Sequence, residues 1–330
     1  MKLLIDRQGR EVFRHPDMLR YSAGSIIVKS SVTKLWGAIH PTGHVLLPTK
    51  YNYVGHFSRP DPAFIVSFNS PESSTELYNI CYYNGKFALS QSYPLLESFG
   101  GKMYQVMVEG SKLYGFCDHT GKLVIRCQFR TAGHFACGLC PIAYNLDELS
   151  FIDSSGRVVL GSFPGDYPLS ATFTSNGLSC IHSQSKMRTQ YILPDGTVAI
   201  TLDPKFSGSP FYSSLAVVTN TSEGLSGCIN FKGELVVKCK YTSIGAFRCG
   251  YSIAKRPDIA TPVVIDITGR EYRIAASMKL IDQSMTGICT FLDLDSNKRG
   301  FCTPLGEVLI KAIYSDATPM HDDFAVVSLD

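Results

Sequence analysis

Residues 116–125 read Phe116-Cys117-Asp118-His119-Thr120-Gly121-Lys122-Leu123-Val124-Ile125: an apolar pair, a polar turn closed by glycine, then a second apolar run. An aspartate three residues before a glycine is a turn signal, because its carboxylate accepts backbone N–H groups while glycine supplies positive φ. Apolar strand, glycine turn and apolar strand make a β-hairpin. The setting recurs at Gly9, Gly43, Gly85, Gly121, Gly156, Gly196, Gly233, Gly269 and Gly306, at intervals of 34, 42, 36, 35, 40, 37, 36 and 37 residues. A period of this size marks a repeat architecture, one supersecondary unit copied along the chain.

Aligned on these glycines, the residue four before each is Ile5, Ile39, Cys81, Cys117, Ile152, Ile192, Ile229, Ile265 or Cys302, always apolar and mostly β-branched. The next column holds Asp6, Asp118, Asp153, Asp266 and Asn230, with His40, Tyr82, Leu193 and Thr303 as departures. Four residues beyond the glycine come Phe13, Leu47, Leu89, Ile125, Leu160, Ile200, Val237 and Ile310, a column that only Arg273 interrupts. Tyr51, Tyr93, Phe129, Tyr241 and Tyr314 lie eight residues after their glycines, and Phe57, Phe99, Phe135, Phe247 and Met320 lie six further on. That pair reads as a clamp holding the intervening loop over the core face of the hairpin. A third strand follows: Ser25–Val28, Ala63–Val66, Gln105–Val108, Leu215–Val218 and Phe324–Val327.

The unit is thus three strands, or four with a short extra one, in roughly 37 residues. Such a unit points to propeller blades. The chain starts in mid-unit at Leu3-Leu4-Ile5-Asp6 and stops just after a third strand, so its two ends supply halves of one sheet. Joining them removes two edges that invite aggregation, whereas an open array carries polar, atypical caps, and none is visible. The expectation is an all-β chain forming a closed β-propeller of about nine three- to four-stranded repeats, its N- and C-terminal strands completing one blade. The alternative is an open array or solenoid. One domain spans 1–330, in units 1–34, 35–76, 77–112, 113–148, 149–188, 189–224, 225–262, 263–298 and 299–330.

Composition sets bounds on function. Hydrophobic residues make up 45% and aromatic ones 11%, ample for a core, while the charged fraction is a low 18%. Net charge is +3 without a basic run, so nucleic acid is not implied. No apolar stretch is long enough to span a membrane, and the N-terminus lacks the pattern of a signal peptide. Eleven cysteines are an odd number, and Cys81, Cys117 and Cys302 take the place of isoleucine in one strand column. Such cysteines act as small hydrophobes, so reduced thiols in the cytoplasm are expected.

The segment Lys34-Leu35-Trp36-Gly37-Ala38-Ile39-His40-Pro41-Thr42-Gly43-His44-Val45-Leu46-Leu47-Pro48-Thr49-Lys50-Tyr51 resembles the bacterial WG-repeat family, with weaker copies from Tyr114-Gly115, Ser226-Gly227 and Arg299-Gly300. One copy keeps the tryptophan and one, at Pro48, the proline, as in a diverged member. The resemblance covers essentially the whole chain. It implies a recognition scaffold with no common catalytic motif.

Cys137-Gly138-Leu139-Cys140, near His134 and His119, is a single Cys-x-x-Cys where a structural zinc needs four ligands, so no metal and no cofactor are expected. His40, His44, His56, His119 and His134 cluster by repeat position and are the candidate binding residues: either a patch titrating near neutrality, or turn residues standing in for Asp, Lys or Ser. Trp36 reads as packing within its blade. Ser179-Cys180-Ile181-His182 sets a cysteine and a histidine on one face of a strand, a weak nucleophile pair without an orienting third group. The polar insertions at 69–76 and 183–188 fall where repeats place binding loops.

Two functions from different classes follow. The first is a non-catalytic, cytoplasmic bacterial scaffold, a monomer binding a protein partner through the loops and faces of the ring, for example in a conflict, effector or regulatory system. The alternative is a propeller enzyme or a small-molecule- or glycan-binding protein acting at a central channel. Neither expects nucleic acid or membrane.

Overall fold

The computed structural model describes residues 1–56, 63–73, 75–97, 103–145, 148–164, 171–183, 188–259, 261–282 and 287–329. Every turn glycine behaves as the hairpin demands. The nine have φ between +78° and +88°, and each donates its N–H to the carbonyl three residues before, at 2.8–3.1 Å. Asp118 shows the carboxylate's part: its Oδ1 accepts the Thr120 N–H at 2.8 Å and hydroxyl at 2.6 Å, and the Lys122 N–H at 3.1 Å. In the matching turn the Ser155 hydroxyl, then Arg157, hold the Asp153 carboxyl down to about 2.

The strands form nine antiparallel sheets, seven of four strands and, among the described residues, two of three. No helix occurs among the described residues. A representative blade runs Thr131–Ala132, Cys140–Ala143, Glu148–Ile152 and Val158–Pro164, each strand bonded to the next. The blade therefore begins inside one sequence unit and ends in the next, because the third strand of each sequence repeat pairs with the hairpin that follows. The extra strand comes first in the blade and is short in several, as at Thr131–Ala132, Ser243–Ile244 and Asp316–Ala317.

One sheet joins the two ends of the chain, in the order Glu11–His15, Lys2–Asp6, Phe324–Ser328, Asp316–Ala317. Lys2 to Asp6 pair residue by residue with Ser328 to Phe324. The series of blades thus returns to its own first strand. The fold is a nine-bladed β-propeller, and the open array is set aside. The chain divides into two compact units, Met1–Ala88 with Arg248–Tyr251 and Tyr272–Asp330, and Leu89–Phe247 with Ser252–Glu271.

Two glycine columns explain how blades are built and stacked. Gly37, Gly115, Gly227 and Gly300 lie on third strands where pairing skips, as from Trp36↔Tyr51 to Ala38↔Leu47. The fourth strand bulges there and folds a carbonyl over the glycine. A β-carbon would lie 2.7 Å from the Leu47 oxygen at Gly37, 2.6 Å from that of Ile125 at Gly115 and 2.5 Å from that of Ile310 at Gly300; at Gly227 it would meet the Val237 oxygen. Only a residue without Cβ fits.

The turn glycines do the stacking. A β-carbon on Gly43, Gly121, Gly156, Gly196, Gly233 or Gly269 would touch Phe13, Leu89, Ile125, Leu160, Ile200 or Val237, the apolar residue four beyond the glycine of the preceding repeat. Gly306 meets Ile274 at 3.1 Å. The apparent interruption at Arg273 is thus filled by its neighbour, one residue on.

The aromatic pairs act differently from the clamp expected of them. Phe129 ends a fourth strand and Phe135 follows the first strand of the next blade, yet both pack on one cluster with Phe116, Ile125, Cys140 and Ile152. The two rings therefore join successive blades, rather than closing a loop over a single hairpin. Phe57 and Phe99 lie outside the described residues. Trp36 packs on the cluster around Phe64 and Tyr51, with Lys29 Nζ 5.3 Å from its ring centroid.

Candidate functional site

The first and second strands of several blades are joined by two-residue turns. Ala136 and Leu139, Arg248 and Tyr251, and His321 and Phe324 exchange both backbone hydrogen bonds at 2.8–3.0 Å; Tyr212 and Leu215 do so at 3.0 and 3.4 Å. The turns need left-handed backbone: Cys137 has φ 52°, Cys249 49°, Asp322 45° and Ser213 58°. Such hairpin turns match the right-handed twist of their strands.

Neighbouring turns are tied together. In the second unit Asn176 Nδ2 donates to the Ser213 carbonyl at 2.6 Å, and Cys137 Sγ lies 3.8 Å from the Thr174 carbonyl. In the first unit Asp322 Oδ2 accepts the Ala23 N–H at 3.0 Å, and Asp323 pairs with Arg7 at 3.4 Å. The backbone is thus fixed, while the residue preceding each turn differs: Ala136, Tyr212, Arg248 and His321. Tyr212 is 57% exposed, a rigidly held aromatic in solvent.

A partly buried carboxylate accompanies the turns of the first unit. Burial pushes the Asp282 carboxyl above the usual carboxylate range, against Thr290, whose N–H donates at 3.4 Å, and against the positive fields of His321 and Arg248. In the second unit burial pushes the His134 imidazole below its ordinary value.

The candidate histidines occupy turns and first strands of different repeats. His40 replaces Asp in a hairpin turn: its Nδ1 is 2.8 Å from Thr42 Oγ1 and accepts the Thr42 N–H at 3.2 Å. His44 is exposed in that turn, where its carbonyl accepts the His40 N–H at 2.7 Å. His119 is exposed beside Asp118 in another turn. His134 follows a first strand and is half-buried. His56 ends the strand Tyr53–His56, and its side chain lies outside the described residues. Of the insertions, 184–187 and Ser74 also lie outside them.

The Cys180–His182 pair does have a third group. Cys180 Sγ is 3.6 Å from His182 Nε2, and His182 Nδ1 is 3.1 Å from Thr189 Oγ1. That hydroxyl also accepts the Gly208 N–H at 3.3 Å. Thr189 sits on the adjacent strand opposite His182, a pairing that residue spacing does not reveal. The sulfur is enclosed, with Cys180 only 1% exposed. Among the described residues no three His, Cys, Asp or Glu side chains converge as metal ligands, and no helix is long and apolar enough to cross a membrane.

A nine-bladed propeller, four of whose blades carry a glycine under a bulged fourth strand, defines the class. Residues 36–67, 114–145, 227–256 and 300–330 match the WG containing repeat, so four segments of the chain carry that family's signature. No curated protein matches it. Among solved structures it is similar to the computationally designed Ika8 protein, at 13% identity and a TM-score of 0.48 over 92% of this chain and 100% of that one. It is also similar to BamB from Moraxella catarrhalis, at 12% and 0.43 over 89% and 96%. Kluyveromyces lactis Hsv2p follows at 11% and 0.42 over 88% and 97%.

Proposed function

We propose that this propeller is a non-catalytic scaffold that recognises a protein partner through the turns joining the first and second strands of its blades. The observation that carries this reading is the combination of constant backbone and differing side chain at Ala136, Tyr212, Arg248 and His321. Repeat proteins use such positions to set specificity without disturbing the fold. Aromatic and arginine side chains on rigid backbone are the usual anchors of protein interfaces, and Tyr212 is exposed while Arg248 is partly so. Many of the acidic residues are occupied in shaping turns, as at Asp118 and Asp153. The eleven cysteines, none in a disulfide, support a reducing, cytoplasmic setting.

The test is affinity capture from the native host with wild-type protein and with a Tyr212→Ala, Arg248→Ala, His321→Ala variant. The variant is expected to melt like the wild type and lose the captured partner. A partner retained by the variant would overturn the assignment of these turns. The enzymatic alternative rests on the Cys180–His182–Thr189 contacts; rapid native-state alkylation of Cys180 by iodoacetamide would favour it over the scaffold.

A further inference from the structure

Cys289 and Cys302 are directly opposed across the second and third strands of one blade. The same two positions in other blades hold Phe64 and Cys81, Tyr104 and Cys117, Cys140 and Ile152, Ala216 and Ile229, and Ala325 and Ile5. Among the described residues this is the one blade with cysteine at both. Directly opposed residues share a face of the sheet, so both thiols point into the cluster that also holds Phe291.

The ladder decides what such a pair can do. Thr290, next to Cys289, turns its carbonyl to the first strand, where it accepts the Ile281 N–H at 2.9 Å. Thr303, next to Cys302, turns its N–H to the Glu307 carbonyl at 2.8 Å, on the fourth-strand side. Cys289 and Cys302 therefore exchange hydrogen bonds with each other. Partners of that kind have Cα atoms about 5.5 Å apart, within disulfide reach, but β-carbons wider than an unstrained bridge prefers. A bridge here forms at the expense of local strain, and strained disulfides are the readily reduced, regulatory ones.

Both thiols are fully buried, so exchange needs a route. Cys249 supplies one. It is exposed on the turn of the preceding blade, and a β-carbon on Gly287, two residues before Cys289, would lie 3.5 Å from its sulfur.

We propose that Cys289 and Cys302 form a reversible cross-strand disulfide, with Cys249 as the entry thiol and a low-molecular-weight disulfide such as glutathione disulfide as oxidant. The Cys249 thiolate attacks the oxidant and expels one glutathione thiolate. Cys289, deprotonated, attacks the Cys249 sulfur of the mixed disulfide and expels the second. Cys302 then attacks the Cys289 sulfur and returns Cys249 to a thiolate, which is reprotonated. In sum, two protein thiols and one glutathione disulfide give one protein disulfide and two glutathione thiols. Ile288, just before the second strand, and Phe301, on the third, pack on the sheet joining the chain ends, so the redox state bears on that junction.

The test incubates native protein with glutathione disulfide, traps thiols with N-ethylmaleimide and maps disulfides by peptide mass spectrometry. The expected product is a Cys289–Cys302 linkage, reversed by reduced glutathione without denaturant. Cys302→Ala should leave glutathione on Cys249 or a Cys249–Cys289 linkage, and Cys249→Ser should slow bridge formation. A Cys289–Cys302 bridge that never forms in the native state, or that reduced glutathione cannot open, overturns the proposal. Equal rates in wild type and Cys249→Ser overturn the entry step. Cys289→Val with Cys302→Ile, which copies the aliphatic blades, should fold and take up no disulfide; failure of that variant to fold leaves the mass map of the wild type to decide.

Discussion

A β-carbon placed on Gly9 would stand 3.3 Å from Cγ2 of Ile310. Gly9 is the first turn glycine and Ile310 lies four residues beyond the last, so the contact repeats the one between Gly121 and Leu89. The first and last repeats are thus neighbours in the same sense as any adjacent pair. Closure uses the contact that most adjacent repeats use, and not a special clasp.

Deleting the final nine residues tests this closure. It removes Phe324–Ser328 from between Lys2–Asp6 and Asp316–Ala317, baring two strand edges and the apolar residues Leu3, Ile5 and Ala317 that pack with Ala325 and Val327. The truncated protein should aggregate, or melt far below wild type, in a thermal scan with light scattering. A soluble monomer of nearly wild-type stability would contradict the shared sheet.

Two glycine-to-alanine substitutions should differ in severity for a stated reason. At Gly115 a β-carbon meets three backbone atoms of the fourth strand at 2.6–2.8 Å, so Gly115→Ala should cost about 3 kcal/mol or more. At Gly85 nothing lies within 4 Å, and only φ +79° opposes the change, so Gly85→Ala should cost about 1 kcal/mol. Urea denaturation of the two variants checks the order.

The interblade rings differ in depth. Phe247 is 5% exposed within its cluster, and Phe247→Ala should destabilise by about 3 kcal/mol. Phe135 is only partly buried against its own, and Phe135→Ala should cost less. Melting temperatures within a degree or two of wild type for both would show that the rings contribute little.

Thiol reactivity should divide by burial. Cys137 and Cys249 are exposed, while Cys81, Cys117 and Cys302 are buried. At neutral pH, maleimide should label the first two rapidly, and the buried three should need denaturant. Fast native labelling of Cys81 or Cys117 would contradict the packing.

The same thiols make an alkaline prediction. Burial pushes Cys117, Cys228, Cys289 and Cys302 up from 9.0 to about 12. The folded state therefore holds protons that the unfolded chain releases. This contribution is fully present below pH 9 and is lost as pH rises from about 9 towards 12. Stability by urea titration should fall over that window, and less steeply in a Cys117→Val, Cys228→Val variant.

Much of the architecture was legible in residue order. The nine turn glycines, the carboxylates before them and the flanking apolar columns each answer a local demand, a positive φ, a capped N–H or a buried strand face, that neighbouring residues alone impose. The family signature was legible too, although the reason for its glycine, a carbonyl folded over the third strand, was not. What only the tertiary structure decided is how distant segments register. It moved the stacking contact from Arg273 to Ile274. It also set Thr189 behind His182 and placed Cys289 opposite Cys302. It separated the candidate histidines into turns and first strands, while bringing Tyr212, Arg248 and His321 to equivalent turns. The physical reason is that a strand's partner is set by a ladder of hydrogen bonds between segments far apart in the chain, and a shift of one residue exchanges its two faces.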